Sequence, residues 1–381
     1  MFPYFHRGLD KLPYISVDGR VSGKLSSLDV LNFYLRTGSR EHWDGLIGEG
    51  TLGGRLVVDH GRLVPGTDAF VESDRIVFGA GVLRLAGATR IRVHPESPST
   101  DAPSRLMSVE VESLELAHRE LDGPIALTER LGIKLLADDL SIATPLDSFR
   151  VEAQIPRGRI PDVSVLNRFI PPSMRVVVEA GSGELAGALA WDDGRMEGAI
   201  DVESDDLRVN LRERPLRGAF AVSLALTADP DLRRVAIGGT RVEIRDASID
   251  DGESRLEPWQ GRIDIKAGHV QLREGALPKE RSGAIGEGSE RTANRLSTLV
   301  DFTDGALRLA GTISDIEFLD YLLSDREQLR FTGPGAFSAD LEMAAGTIRP
   351  GSEVRFDSDR LAAHFLDFET QGRGSLAARF S

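Results

Sequence analysis

The chain has 381 residues, 41% of them hydrophobic and 28% charged, which is enough apolar material to fold and too much for wholesale disorder. A formal net charge of −14, with no Lys/Arg-rich run, excludes nucleic acid as a partner and argues against electrostatic attachment to anionic headgroups. The absence of cysteine removes disulfides, thiolate metal sites and thiol nucleophiles together.

The opening residues Met1 to Arg7 lack the apolar core of a signal peptide, and no stretch of roughly 18 apolar residues exists to cross a bilayer as a helix. The expectation is a chain with neither a signal nor a transmembrane segment.

Residues 1–26 read as the end strand of a preceding unit. From residue 27 a composite motif begins that occurs three times, and such recurrence is the signature of a repeat architecture. In the first copy an octapeptide, Leu28 to Leu35, is followed by Gly48-Glu49-Gly50, Gly61, Pro65-Gly66 and the closure Val71-Glu72-Ser73-Asp74. The second copy keeps the order with Val163 to Ile170, Gly181-Ser182-Gly183, Gly194 and Val202-Glu203-Ser204-Asp205, without the Pro-Gly. The third has Ile316 to Leu323, Gly333-Pro334-Gly335, Gly346, Pro350-Gly351 and Phe356-Asp357-Ser358-Asp359.

The octapeptide's apolar spacing predicts a short helix, with Ser27, Asp162 and Asp315 as N-caps. Gly-x-Gly opens a strand such as Thr51 to Val58, and the next Gly turns it into a hairpin ending on Arg62 to Val64. Elsewhere period-two alternation predicts half-buried strands at Phe149 to Ile155, Leu207 to Leu211, Phe220 to Leu226, Arg262 to Lys266 and Ala306 to Ala310. The expected organisation is unit 1 over 27–155, unit 2 over 156–313 with a flexible Gly/Ser/Glu-rich insertion at 279–295, and a partial unit 3 over 314–381. Each full unit is expected to hold roughly five strands and one helix.

Catalytic and metal chemistry find little support. The seven histidines, His6, His42, His60, His94, His118, His269 and His364, include no pair at metal-ligand spacing. The Gly-x-Gly pairs lack the third Gly and the Lys of phosphate loops, so no nucleotide is expected. Asp74, Asp205 and Asp359 supply too few oxygens for calcium and read as Asx-turns. The pairs Asp138-Asp139, Asp192-Asp193 and Asp250-Asp251 read as solvated turns rather than glycosidase carboxylates. There is no Gly-x-Ser-x-Gly elbow. Trp43, Trp191 and Trp259 are too scattered for a glycan platform and read as core or groove-lip residues. The chain is read as a non-enzyme without metal or cofactor.

The order of helix, Gly-x-Gly, hairpin and Ser-Asp closure, with Leu135 to Ile142 and Arg159 to Pro172, resembles the bacterial AsmA-like and TamB-like envelope proteins over most of the chain. The resemblance implies a mainly β fold, a repeating β-groove in which a curled antiparallel sheet forms an open apolar trough. It implies conduction of phospholipid between inner and outer membranes, partners in both membranes and a periplasmic location, with an inner-membrane anchor in the full-length protein. The groove lining is then expected from Phe149, Val151 and Ile155; from Leu207 and Val209; from Phe220, Val222, Leu224 and Leu226; and from Ile263, Ile265, Leu307 and Leu309. The alternative implied by the TamB-like relatives is assembly of outer-membrane proteins through an exposed strand edge.

Overall fold

The computed structural model describes residues 14, 16–28, 43–80, 83–95, 105–118, 123–136, 150–168, 176–211, 214–229, 234–249, 258–272, 303–317, 329–344, 347–365 and 368–380. The insertion at 279–295 and Phe149 lie outside them. The chain forms two compact units, one of Met1–Arg159 with Ala186–Met196, the other of Ile160–Leu185 with Glu197–Ser381.

The fold is mainly β, as the alternation predicts. The first unit holds β1 (Val17–Leu25), β2 (Trp43–Ile47), β3 (Gly50–Asp59), β4 (Arg62–Leu63), β5 (Asp68–Ala80), β6 (Leu83–Val93), β7 (Arg105–His118), β8 (Pro124–Leu136) and β9 (Arg150–Ile160). The described strands pair antiparallel, and β5 to β9 run as a meander in which each strand pairs with the next.

The following strands are β10 (Val176–Ala180), β11 (Gly183–Asp192), β12 (Arg195–Leu211), β13 (Arg214–Ala228), β14 (Arg234–Ala236), β15 (Arg241–Ile249), β16 (Trp259–Leu272) and β17 (Thr303–Ile313). They continue with β18 (Leu329–Thr332), β19 (Gly335–Ala344), β20 (Thr347–Ile348), β21 (Glu353–Phe365) and β22 (Phe368–Arg379). Between the first two octapeptides the described residues form six long strands, β3 and β5 to β9, against the roughly five expected. In β7, Val109 and Val111 alternate with Glu110 and Glu112, the period-two pattern of a two-faced strand.

The sequence repeat marks a repeated break in the sheet. Two short strands lie end to end against one long strand: β2 and β3 on β5, and β18 and β19 on β21. Gly-x-Gly sits at each break, where the chain approaches the long strand too closely for a side chain. A Cβ on Gly48 would lie 2.8 Å from the Arg75 carbonyl oxygen, and one on Gly181 would lie 2.7 Å from that of Asp206. A Cβ on Gly50, Gly183 or Gly335 would meet the carbonyl oxygen of Glu72, Glu203 or Asp357 at 2.5, 2.9 and 2.6 Å.

The octapeptide enters over this break. The backbone N–H of its first residue donates to the first glycine's carbonyl: Leu28 to Gly48 at 2.8 Å, Val163 to Gly181 at 3.0 Å and Ile316 to Gly333 at 2.9 Å. All three of these residues are buried. The second octapeptide forms a 3-10 helix, Val163–Arg168; the other two lie mostly outside the described residues. The cap expected at Asp162 is in place, accepting from Ser164 N–H at 2.8 Å; Asp315 accepts from Glu317 N–H at 2.9 Å, and the octapeptide beyond Glu317 lies outside the described residues.

One expectation is corrected. Asp74, Asp205 and Asp359 do not make Asx-turns; they are exposed residues inside β5, β12 and β21. The serine beside each makes the closure. Ser73, Ser204 and Ser358 are buried, and their hydroxyls donate to the middle carbonyl of the Gly-x-Gly, at Glu49 (2.5 Å), Ser182 (2.7 Å) and Pro334 (2.5 Å).

Candidate functional site: the apolar sheet faces

Residues opposite one another on paired strands project to the same face, so the registers define rows of side chains across a sheet. In the first unit one row runs Gly23, Leu52, Val71, Ile91, Val109, Ile133 and Ala153 across β1, β3 and β5 to β9. The adjacent row on that face is Val21, Gly54, Ala69, Val93, Met107, Leu135 and Val151. No charged residue interrupts either row.

The second unit repeats the arrangement. Val222, Val242, Ile263, Gly311, Phe337, Phe356 and Leu376 form one row across β13, β15, β16, β17, β19, β21 and β22. Beside it run Phe220 with Ile244, Ile265 with Leu309 and Ala339, and Leu307 with Leu341. Phe337 lies over Gly311, where a Cβ would meet its ring at 2.6 Å, so the glycine leaves no gap in the row.

Eight of the expected lining residues lie on one face of the second unit, and the other four that are described lie elsewhere. Phe220, Val222, Ile263, Ile265, Leu307 and Leu309 share this face of the second unit, and strand parity puts Leu224 and Leu226 there too. Val151 and Ile155 belong to the apolar face of the first unit. Leu207 and Val209 lie on β12, where Val209 is opposite the buried Val178. All twelve are half-buried.

The opposite faces carry ion pairs, some between neighbouring strands and some along one strand. In the first unit Arg55 pairs with Asp18 (2.7 Å), Arg92 with Asp68 (2.7 Å) and Arg130 with Glu110 (3.1 Å). In the second Asp264 accepts from Arg241 at 3.0 Å and Arg262 at 3.2 Å, and Arg355 pairs with Asp357 at 2.9 Å. The Arg55 guanidinium beside Asp18 and that of Arg92 beside Asp68 hold both carboxyls below the usual carboxylate range. Arg241 and then Arg262 do the same to Asp264. In each unit the rows thus set apolar side chains on one face, the dry face, and ion pairs on the other, the wet face.

Two sets of polar residues passed over in the sequence shape these faces. Thr67, Thr240 and Ser352 are buried, each preceded by a left-handed glycine (Gly66, Gly239, Gly351). Each hydroxyl bridges the N–H and C=O of one residue on the neighbouring long strand: Val57 for Thr67, Ala225 for Thr240 and Glu342 for Ser352. Thr67 and Ser352 follow the Pro-Gly of the first and third copies, whereas Thr240 follows Gly238-Gly239 between β14 and β15, outside the recurring motif. A Gly-Thr or Gly-Ser pair before a strand was the available signal.

Asn167 is the other. Its side-chain amide donates to the Val178 carbonyl at 2.7 Å and accepts from the Val178 N–H at 2.7 Å, filling a strand's place beside β10. The corresponding octapeptide positions are Asn32 and Asp320.

Trp259 is buried in a cluster with Ala247, Ile249, Ile313 and Phe356, and its Nε1 donates to the Asp315 carbonyl at 2.8 Å. Asp193-Gly194 forms a tight hairpin turn with positive φ at both residues, as does His60-Gly61. Among the described residues no helix is long and apolar enough to cross a membrane, and no three metal-ligating side chains gather. Comparison with known proteins gives no match: no family model, no curated protein and no solved structure is similar to this chain.

Proposed function

We propose that the chain is a non-enzymatic carrier of phospholipid acyl chains, which lie along the apolar faces of its sheets as along the floor of an open, repeating β-groove. In this reading it works in the periplasm, in lipid transport between the inner and outer membranes. The observation that carries the reading is the uninterrupted apolar row across seven strands in each unit. At about 4.8 Å per strand such a row is roughly 30 Å long, about twice the reach of one acyl chain in a bilayer whose core is ~30 Å thick. Full burial of a sixteen-carbon tail is worth on the order of 10 kcal/mol, at about 0.8 kcal/mol per methylene.

Two measurements test it. Protein purified from bacteria without detergent should release phospholipid into an organic extract, seen by mass spectrometry; an empty extract overturns the reading. A photo-crosslinking amino acid at Val109 should label lipid, whereas one at the neighbouring Glu110, on the wet face, should not. The second reading, an assembly factor for outer-membrane proteins, draws on the edge of β22, which among the described residues pairs on one side only. Cross-linking of that edge to barrel clients, with lipid-free protein, would favour it.

A further inference from the structure

The edge of β22 is complementary to itself, and the geometry points to a second copy of this chain as its partner. Among the described residues β22 pairs on one side only, with β21, and almost every residue along it is exposed. Phe380 fixes which groups face outward. Its N–H donates to the Ser352 carbonyl at 3.0 Å and its C=O accepts from Gly351 N–H at 2.9 Å, so its backbone faces β21. The register irregularity opposite β22 falls between Ser358 and Leu361 of β21, which leaves β22 itself regular. By strand alternation, Glu369, Gln371, Arg373, Ser375, Ala377 and Arg379 present their N–H and C=O groups to the open side.

An antiparallel copy centred on Gly374 satisfies all of them. In that register Phe368 meets Phe380, Glu369 meets Arg379, and Gly372 leaves room for Leu376. These complementarities use groups that the single chain leaves available: Phe368 is 76% and Phe380 39% exposed, far more than large aromatics ordinarily are. The Arg379 side chain is 79% exposed despite its pairing with Glu353, and that of Glu369 is 66% exposed. A two-fold axis perpendicular to the sheet keeps Leu376, Ala378 and Phe368 of both copies on one face, so the apolar rows would continue from one copy into the next. No proline or inward-pointing charge blunts the edge, as it commonly does on edge strands that stay single. The inference stands whether or not the apolar face carries lipid.

Sedimentation of the whole chain at about 100 µM, above the micromolar range of transient pairings, should give a species of twice the 41.4 kDa chain mass. Ala377→Pro removes an outward N–H without touching the pairing to β21, and should return the mass to that of one chain with an unchanged circular dichroism spectrum. Register is read by the double variant Thr370→Cys/Ala378→Cys, in a chain otherwise free of cysteine. Residues 370 and 378 of opposite copies form a non-hydrogen-bonded pair, at about 4.5 Å between Cα atoms, within disulfide range; in one chain they lie roughly 27 Å apart. Mild oxidation should give a covalent dimer with the double variant and none with either single variant. A monomer at this concentration, a dimer that survives Ala377→Pro, or cross-linking no better than the single variants would each overturn the inference.

Discussion

The Ser204 hydroxyl donates to the Ser182 carbonyl over 2.7 Å, tying β12 to the chain that crosses from β10 to β11. Ser358 does the same to Pro334 and Ser73 to Glu49. Ser204 is only 4% exposed, so alanine there removes a hydrogen bond made by a buried hydroxyl. Ser204→Ala should cost about 1–2 kcal/mol in urea unfolding. Asp205→Ala, on the exposed neighbour, should stay within about 0.5 kcal/mol.

The glycines beside it should be less forgiving. Gly181 has φ 140° and no room before the Asp206 carbonyl. Gly181→Ala combines backbone strain with a clash and should cost more than about 2 kcal/mol. Gly132, within β8, has nothing within 4 Å of a built Cβ, and Gly132→Ala should be neutral to mildly stabilising. Thermal unfolding of the two variants separates these outcomes.

Asn167 should behave as a strand substitute. Asn167→Leu keeps the side-chain volume but leaves both polar groups of Val178 unpaired, a loss of about 1–3 kcal/mol. Hydrogen exchange checks the mechanism, since the Val178 amide should lose protection while those of β16 and β17 keep theirs. Asn167→Asp should fare no better, because a carboxylate cannot donate to the Val178 carbonyl.

The ion pairs on the wet face set the acid limb of stability. A carboxyl whose pKa is depressed in the folded chain contributes its stability in full above the ordinary value of about 3.9, and loses it as pH falls through the depressed value. Asp68, held down by Arg92, belongs to this class. Arg92→Gln should flatten the loss of stability on acidification and leave the neutral-to-alkaline limb unchanged in slope. The effect should be under about 1 kcal/mol and shrink with salt, since the two side chains are 50% and 48% exposed.

Charge on the dry face should act differently. Ile91→Lys places an ammonium in the middle of the first unit's apolar row. Its half-buried position lets the lysine stem reach solvent, so the fold should survive with a loss of about 1–2 kcal/mol. Lipid recovered from the purified protein should fall sharply, which calorimetry and mass spectrometry together distinguish from unfolding.

Much of the fold was legible because strand alternation is a local property. Phe220 to Leu226 announces a two-faced strand with no knowledge of its neighbours, and β13 is that strand. The threefold Gly-x-Gly and its closure were equally legible as a pattern. Their mechanism was not, since an Asp beside a Ser offers two plausible turn-makers and only the position of the opposite strand shows which one is buried. The octapeptide's apolar spacing suited a helix, and the second copy is a 3-10 helix whose Asn167 bonds to β10.

By itself, then, the sequence determined that this protein is built of alternating strands, that one motif recurs, and that each strand has a dry and a wet side. Tertiary structure decided which residues stand in one row, because a single-residue shift in register would move a strand's whole apolar set to the other face. It also decided that Ser73, Ser204 and Ser358 are the closures, and that Thr67, Thr240 and Ser352 bridge to the neighbouring long strands. Those roles depend on a carbonyl or an N–H contributed by a residue distant in sequence, and no local pattern encodes where that partner will be.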